Sequence, residues 1–246
     1  MFKRYVTAIA ATLALAGASA AQAADIAGAG ATFPAPVYAK WAETYRAQTG
    51  NRLNYQAIGS GGGIRQITAG TVDFGATDKP LKPDDLATGG FAMFPTVIGG
   101  VVPVVNLPGI KPGQVKLTGA LTADIFRGVL KKWNDPLIAR YNPGVVLPNL
   151  PITVVHRSDG SGTTFLFTSY LAMKAPRWAS EVGANDAVKW PTGLGGKGND
   201  GVAAYVKQTP GAIGYVEYAF AKQNNLTYTL LQNKAGKYVA PAAANF

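Results

Sequence analysis

The residues best suited to chemistry form a segment rich in glycine and hydroxyl side chains at positions 156–164, with the sequence HRSDGSGTT. A strand-like apolar run at 152–155 precedes it, and a helix-like run at 165–173 follows. The first N–H groups of a helix lack partners within the helix and lie at the positive end of its dipole, which favours bound anions. Arg157 can add a two-pronged, charge-assisted pair. Three further residues offer hydroxyl donors: Ser161, Thr163 and Thr164. The segment is therefore predicted to bind an oxyanion.

The elements that would position this segment alternate between strand-like and helix-like runs, which predicts an α/β fold. The predicted strands are 51–58, 71–76, 96–106, 152–155 and 211–218. The predicted helices are 35–48, a short helix around 64–67 after a glycine loop at 59–63, 122–133, 165–173, and one capped by Asn199 and Asp200.

Three further loops share the composition of the first: 30–33, 59–62 and 76–78. Ligands in α/β sheets bind beyond the carboxyl ends of the strands, so these loops and 157–164 could converge on one cleft. Each of the three, taken singly, is more typical of an ordinary turn or helix cap. The 157–164 loop favours a functional role even by itself, because it combines an arginine, an acid and several hydroxyls.

The N-terminus has the pattern of a secretory signal peptide over residues 1–23, with cleavage expected after Ala23. A retained signal anchor is the alternative interpretation. The chain has no cysteine and a formal net charge of +10. An exported protein of this composition is expected to rely on its core rather than on disulfides, as a soluble periplasmic protein. The basic residues are scattered rather than clustered, so no nucleic-acid partner is predicted.

Motifs of common enzymes fail on their context. Residues 193–198 match G-x-G-x-x-G, but they follow Trp-Pro-Thr rather than a clear strand, so no dinucleotide site is predicted. A hydrolase elbow around Ser161 needs glycine two residues earlier, where Asp159 stands. With His156 as the one histidine and no cysteine, no spacing typical of metal ligands is present. The sequence therefore predicts no catalytic residues, no cofactor and no metal.

Five blocks of sequence, at 28–38, 71–78, 94–100, 157–163 and 193–201, resemble those of the phosphate-binding proteins of bacterial phosphate-specific ABC importers. The resemblance covers essentially the whole mature chain. It implies a two-lobed (type II) periplasmic binding protein of the α/β class, with mixed sheets and the ligand in the cleft between the lobes. Residues 24–100 are expected to form the N-terminal part of the first lobe, and residues 101–246 the second lobe. Members of that family usually extend beyond the equivalent of Phe246, so the first lobe is expected to be incomplete.

The same resemblance implies the residues that bind phosphate: Thr32, Phe33, Ser60, Asp78, Arg157, Ser161, Gly162 and Thr163. Asp159 is expected to support Arg157 through a salt bridge rather than to contact the ligand. Asp78 is expected to accept the proton that phosphate keeps near neutral pH and sulfate lacks, which would discriminate between the two anions. Gly61 stands where relatives often have a second serine.

The function implied is the capture of inorganic phosphate by a periplasmic monomer and its delivery to an inner-membrane ABC permease. Three alternatives stay open at the level of sequence. The chain could bind another tetrahedral oxyanion, it could be a secreted phosphate-ester hydrolase with Ser161 as nucleophile, or it could be a remnant that binds nothing.

Overall fold

The computed structural model describes residues 25–245, so the predicted signal peptide lies outside the described residues. Its strands are β1 (Asp25–Gly30), β2 (Arg52–Ala57), β3 (Phe74–Ala76), β4 (Val101–Val105), β5 (Lys116–Leu117), β6 (Thr153–Arg157), β7 (Leu194–Gly196), β8 (Ala212–Glu217), β9 (Thr227–Tyr228), β10 (Leu230–Gln232) and β11 (Tyr238–Val239). Its helices are α1 (Ala35–Thr49), α2 (Ser60–Thr68), α3 (Pro83–Gly89), α4 (Gly119–Phe126), α5 (Pro136–Arg140), α6 (Gly162–Lys174), α7 (Pro176–Glu181), α8 (Gly198–Gln208) and α9 (Tyr218–Gln223), followed by a 3-10 turn at Ala243–Asn245. None of these helices is long and apolar enough to span a membrane.

The first sheet has three strands in the order β2-β1-β3, and β1 pairs in parallel with both neighbours. Helices α1 and α2 connect the strands, as parallel pairing requires. All three strands therefore end at the same edge of the sheet, at Gly30, Ala57 and Ala76. The loops that follow them are brought together there.

The second sheet has five strands in the order β7-β6-β8-β4-β9. Strand β6 is parallel to β7 and β8, whereas β4 is antiparallel to β8 and β9. A smaller sheet combines β5, β10 and β11. The prediction of an α/β fold with mixed sheets is confirmed.

The hydrophobic core lies on the two faces of the second sheet. The two clusters of buried apolar residues in the described chain contain only residues from Val102 onward. Three aromatic residues are among the largest fully buried side chains: Trp133, Trp178 and Tyr215. The indole of Trp133 donates to the carbonyl of Gly211 at 2.9 Å, so its burial leaves no polar atom unpaired.

The helix predicted at 122–133 is wrong in both bounds, because α4 runs from Gly119 to Phe126. It begins early because the hydroxyl of Thr118 accepts a hydrogen bond from Leu121 N at 3.1 Å and caps the helix. It ends early at a turn whose Gly128 has a φ of +73°, a left-handed conformation that ends helices.

The prediction of a glycine loop at 59–63 is also wrong, because α2 already begins at Ser60. The glycines in the first helical turn of α2 permit close packing and do not form a loop. A Cβ atom at Gly63 would lie 2.4 Å from the Cα of Gly30, and one at Gly62 would lie 2.8 Å from the side chain of Ile58. Helix α2 therefore rests directly on the end of β1, and Ser60 is fixed at a helix N-terminus.

Candidate functional site

The loops at the ends of the two sheets meet face to face. The amide of Gly61 donates to the carbonyl of Gly160 at 2.9 Å. The amide of Gly162 donates to the Ser60 hydroxyl oxygen at 3.0 Å. Nothing larger than hydrogen fits at Gly162, since a Cβ there would lie 2.5 Å from the Cβ of Asp78. The structure therefore brings the loops predicted from sequence to one place.

Arg157 is the last residue of β6 and is only 3% exposed. Its Nε donates to Asp159 Oδ1 at 2.8 Å, its Nη2 bonds Asp159 Oδ2, and its backbone amide donates to the hydroxyl of Tyr215 at 3.1 Å. The remaining nitrogen, Nη1, is buried without a hydrogen-bond partner. A buried cationic donor without a partner is costly, and an anion beside it would remove that cost.

Asp159 is held in place by Arg157 and by Gly198. Burial alone would raise the pKa of its carboxyl, but the hydrogen bonds and the charge of Arg157 outweigh burial and lower the pKa. A further hydrogen bond comes from the amide of Gly198 at 3.0 Å, which donates to Oδ1. The carboxylate therefore stays ionised, and its oxygens are occupied by Arg157 and Gly198.

Asp78 follows β3 and faces the start of α6. Burial raises the pKa of its carboxyl to about 6, although the charge of Arg157 and hydrogen bonds from Thr163 oppose the rise. The Thr163 hydroxyl donates to Asp78 Oδ2 at 3.3 Å. The site thus holds a buried acceptor that changes its protonation state just below neutral pH.

The N-terminus of α6 supplies donors, but two of its amides are used within the protein in this structure. The Ser161 amide donates to the carbonyl of Asp186 at 2.9 Å, and the Gly162 amide donates to Ser60. The Ser161 hydroxyl oxygen caps the helix by accepting from Thr164 N at 3.0 Å. The Gly162 amide reaches Ser60 because the loops at the ends of the two sheets are in direct contact.

The loop after β1 carries two backbone amide donors. Among the described residues, no acceptor takes the amide hydrogens of Thr32 and Phe33. The Thr32 side chain is buried, and its hydroxyl oxygen accepts from the Asn199 backbone amide at 3.1 Å and from Asn199 Nδ2 at 2.7 Å. Two adjacent backbone amides whose hydrogens are available can together bind an anion.

Three residues of this network were not predicted from sequence. Asn199 was interpreted as a helix cap, which is wrong, because α8 begins at Gly198 after Lys197 and Asn199 points to Thr32 instead. Tyr215 holds the backbone of Arg157 from the neighbouring strand β8, a pairing that only the tertiary fold creates. Lys79 donates to Asp186 Oδ1 at 2.8 Å and so ties the loop after β3 to the second sheet's side.

The geometry around Ser161 does not assemble a nucleophile with a base. The His156 ring stacks on Trp190 with centroids 4.8 Å apart, and its Nδ1 hydrogen-bonds the carbonyl of Arg157 at 3.0 Å. Burial lowers the pKa of His156, with that backbone hydrogen bond opposing the shift. In the described chain, no hydrogen bond joins His156 to Ser161, whose oxygen caps α6.

Comparison with known proteins gives a consistent match. The sequence model of the PBP superfamily domain matches residues 16–245. The phosphate-binding protein PstS of Pasteurella multocida is 60% identical over 225 residues, which cover 92% of this chain and 65% of that protein. The phosphate-binding protein PstS of Haemophilus influenzae is 59% identical over 226 residues, which cover 92% of this chain and 68% of that protein. The chain thus spans about two thirds of the length of these relatives.

Among solved structures, a high-affinity periplasmic phosphate-binding protein, PfluDING, bound with phosphate, matches with a TM-score of 0.65. The alignment covers 90% of this chain and 66% of that chain at 22% sequence identity. At this identity the match shows a shared fold alone.

Proposed function

The chain belongs to the PBP superfamily and, within it, to the phosphate-binding protein family, and we propose that it binds inorganic phosphate in the periplasm and delivers it to an inner-membrane ABC permease. The names of its relatives support phosphate as the ligand, and the description of PfluDING supports the compartment. The observation that carries the proposal is the buried Nη1 of Arg157, a cationic donor that no group of the described chain satisfies.

We assign residues 24–100 to the first lobe and residues 101–246 to the second, with the ligand between them. The ligand contacts we assign are Thr32, Phe33, Ser60, Asp78, Arg157, Ser161, Gly162 and Thr163, with Asp159 supporting Arg157. The Gly162 amide and the Ser60 oxygen bond each other at 3.0 Å. We expect this hydrogen bond to break when the ligand binds, so that both groups can bond to the ligand.

Asp78 gives the site its preference for phosphate over sulfate. Above its pKa of about 6 the carboxylate can only accept a hydrogen bond. Phosphate near neutral pH keeps a proton to donate, whereas sulfate has none and would set one acceptor against another. Sites built around one such hydrogen bond can reject an analogue that lacks it by roughly 10⁴-fold.

Isothermal titration calorimetry with phosphate tests the proposal, with Arg157→Ala as the variant. Arg127→Ala is a matched control, because Arg127 also forms salt bridges, with Asp124 and Glu181, but none with the site loops. We expect tight phosphate binding in the parent chain and the control, and at least about 30-fold weaker binding in Arg157→Ala. Equal affinity in all three would contradict the assignment of Arg157.

A second candidate, binding of another tetrahedral oxyanion, is favoured by one observation only. Below a pKa of about 6, Asp78 carries a proton and can donate to a fully ionised anion. Sulfate binding that appears at about pH 5 and is absent at about pH 7.5 would show that this protonation sets the specificity. Sulfate binding at both pH values would show that the site is not selective for phosphate.

A further inference from the structure

Asn199 lies at the start of α8, outside the set of residues assigned to the ligand, yet it is completely buried and both polar atoms of its side chain are hydrogen-bonded. Its backbone amide and its Nδ2 both donate to the hydroxyl oxygen of Thr32, at 3.1 and 2.7 Å. Its Oδ1 accepts from the backbone amide of Glu217 at 2.8 Å. Because a backbone amide can only donate, Oδ1 must face Glu217, and Nδ2 must therefore face Thr32.

This arrangement fixes the direction of the Thr32 hydroxyl. A threonine hydroxyl has one hydrogen to donate and two lone pairs that accept. Asn199 occupies both lone pairs, so the oxygen can accept no third hydrogen bond. Within the described chain, no acceptor takes the hydroxyl hydrogen of Thr32. That hydrogen is left for a ligand.

We propose that Asn199 is a positioning residue that fixes the Thr32 hydroxyl as a hydrogen-bond donor to the bound anion. The inference rests on the proposed function, because it assumes that Thr32 contacts the ligand. With Thr32 restricted to donation, a protonated oxygen of phosphate cannot donate at this position. The ligand proton is therefore directed to Asp78, and Asn199 contributes to selectivity without touching the anion.

The contact also joins the two sides of the cleft. Thr32 follows β1 of the first sheet, whereas α8 packs on β6 and β8 of the second. The preceding Gly198 has a φ of +68°, and a Cβ there would lie 3.0 Å from Thr32 Cγ2. Its amide supports Asp159. The start of α8 therefore orients Thr32 and the partner of Arg157 together.

A double-mutant cycle tests this role: the parent chain, Thr32→Val, Asn199→Ala and the double variant, each titrated with phosphate by calorimetry. We expect each single variant to bind phosphate about tenfold more weakly, the loss of one buried hydrogen bond. Because Asn199 acts through the Thr32 hydroxyl, the double variant should bind within about threefold of Thr32→Val alone. Losses that multiply would overturn the inference, whereas the proposed function would still stand because the parent chain binds phosphate.

Asn142→Ala is the matched control for the loss of a buried asparagine. Asn142 is also buried, and it accepts from Lys116 N at 2.7 Å and donates to the carbonyls of Lys116 and Ile138. Its loss should lower thermal stability and leave the dissociation constant unchanged. If Asn142→Ala weakened phosphate binding as much as Asn199→Ala, the effect of Asn199 would be merely structural, and the inference would be overturned.

Asn199→Asp keeps the cycle informative if Asn199→Ala does not fold. It preserves the side-chain volume and the acceptor for Glu217 N, but it replaces the donor to Thr32 by a second acceptor. We expect it to weaken phosphate binding more in the parent than in Thr32→Val, and an equal loss in both would overturn the inference. A parent chain that does not bind phosphate at all would instead refute the proposed function.

Discussion

The two sheets that carry the site differ sharply in how well they are buried. The second sheet is covered on both faces, and the buried apolar clusters of the described chain belong to it. Beside the first sheet, α1 buries only Tyr38, while Trp41 on the same helix is 48% exposed. Half of the proposed ligand contacts thus come from a well-packed scaffold and half from a lightly packed one.

The difference indicates where the first sheet's loops obtain their positions. Thr32, Ser60 and Lys79 each have a hydrogen-bond partner on the second sheet's side, namely Asn199, Gly162 and Asp186. The site geometry is therefore shared across the interface rather than built by each side alone. Variants of the well-packed side should affect the ligand directly, whereas variants of the interface should affect how the two sides close.

The largest effect is expected for Arg157→Ala, on the well-packed side. It removes the unpaired Nη1 donor and leaves the buried Asp159 carboxylate with neutral backbone donors such as the Gly198 amide. We expect phosphate affinity to fall by about 2 to 5 kcal/mol, as for truncation of one partner of a buried charge pair. Calorimetric titration measures the loss, and an unchanged dissociation constant would show that Arg157 does not contact the ligand.

Asp78→Asn should produce the next largest effect, and it depends on pH. Because the folded-state pKa of about 6 lies above the ordinary 3.8, the unfolded chain ionises first as pH rises. Asp78 therefore costs stability progressively as pH rises through that window. Asp78→Asn should raise the unfolding free energy of the ligand-free protein by at most about 3 kcal/mol at about pH 7.5, and by nothing below about pH 4.

Denaturant unfolding of both chains at the two pH values measures this difference. A stabilisation that is the same at both values would show that ionisation of Asp78 is not its cause. Titration of the same variant with sulfate should show that the preference for phosphate has been lost. Full retention of that preference would assign the discrimination to another acceptor.

Gly162→Ala tests the close contact between the two sides, and Gly61→Ala is its milder counterpart. A Cβ at Gly162 would lie 2.5 Å from Asp78 Cβ, whereas one at Gly61 would lie 3.2 Å from Gly160 Cα. We expect Gly162→Ala to weaken phosphate binding by about 1 to 3 kcal/mol through overpacking, and Gly61→Ala by less than about 1. A larger loss in Gly61→Ala than in Gly162→Ala would contradict this order of close contacts between the two loops.

The smallest effect is expected for Lys79→Met, which breaks a partly exposed bridge across the cleft. Lys79 contacts Asp186 and Asn185, and its side chain is 32% exposed. Pairs of this kind contribute about 0.2 to 1 kcal/mol. Stopped-flow measurement should show phosphate release a few times faster with selectivity unchanged, and a change in selectivity would mean that Lys79 takes part in recognition.

Local patterns were sufficient to predict the parts of the fold that depend on nearby residues. The α/β class and the helix that begins after Ser161 follow from periodicity and capping along the chain. The pattern of glycines at 61–63 is typical of a loop, whereas Gly63 packs α2 on the end of β1 and Gly61 packs against Gly160, contacts with residues distant in sequence. Asn199 was misread for the same reason: its partners are Thr32 and Glu217, and its sequence context resembles an ordinary cap.

The most direct test of the whole account is calorimetric titration of residues 24–246 with phosphate and, separately, with sulfate at about pH 7.5. We expect saturable, tight binding of phosphate and no heat with sulfate, from a chain that unfolds cooperatively. A cooperatively folded chain that shows no heat with phosphate would mean that the loops of the two sheets do not form the proposed site.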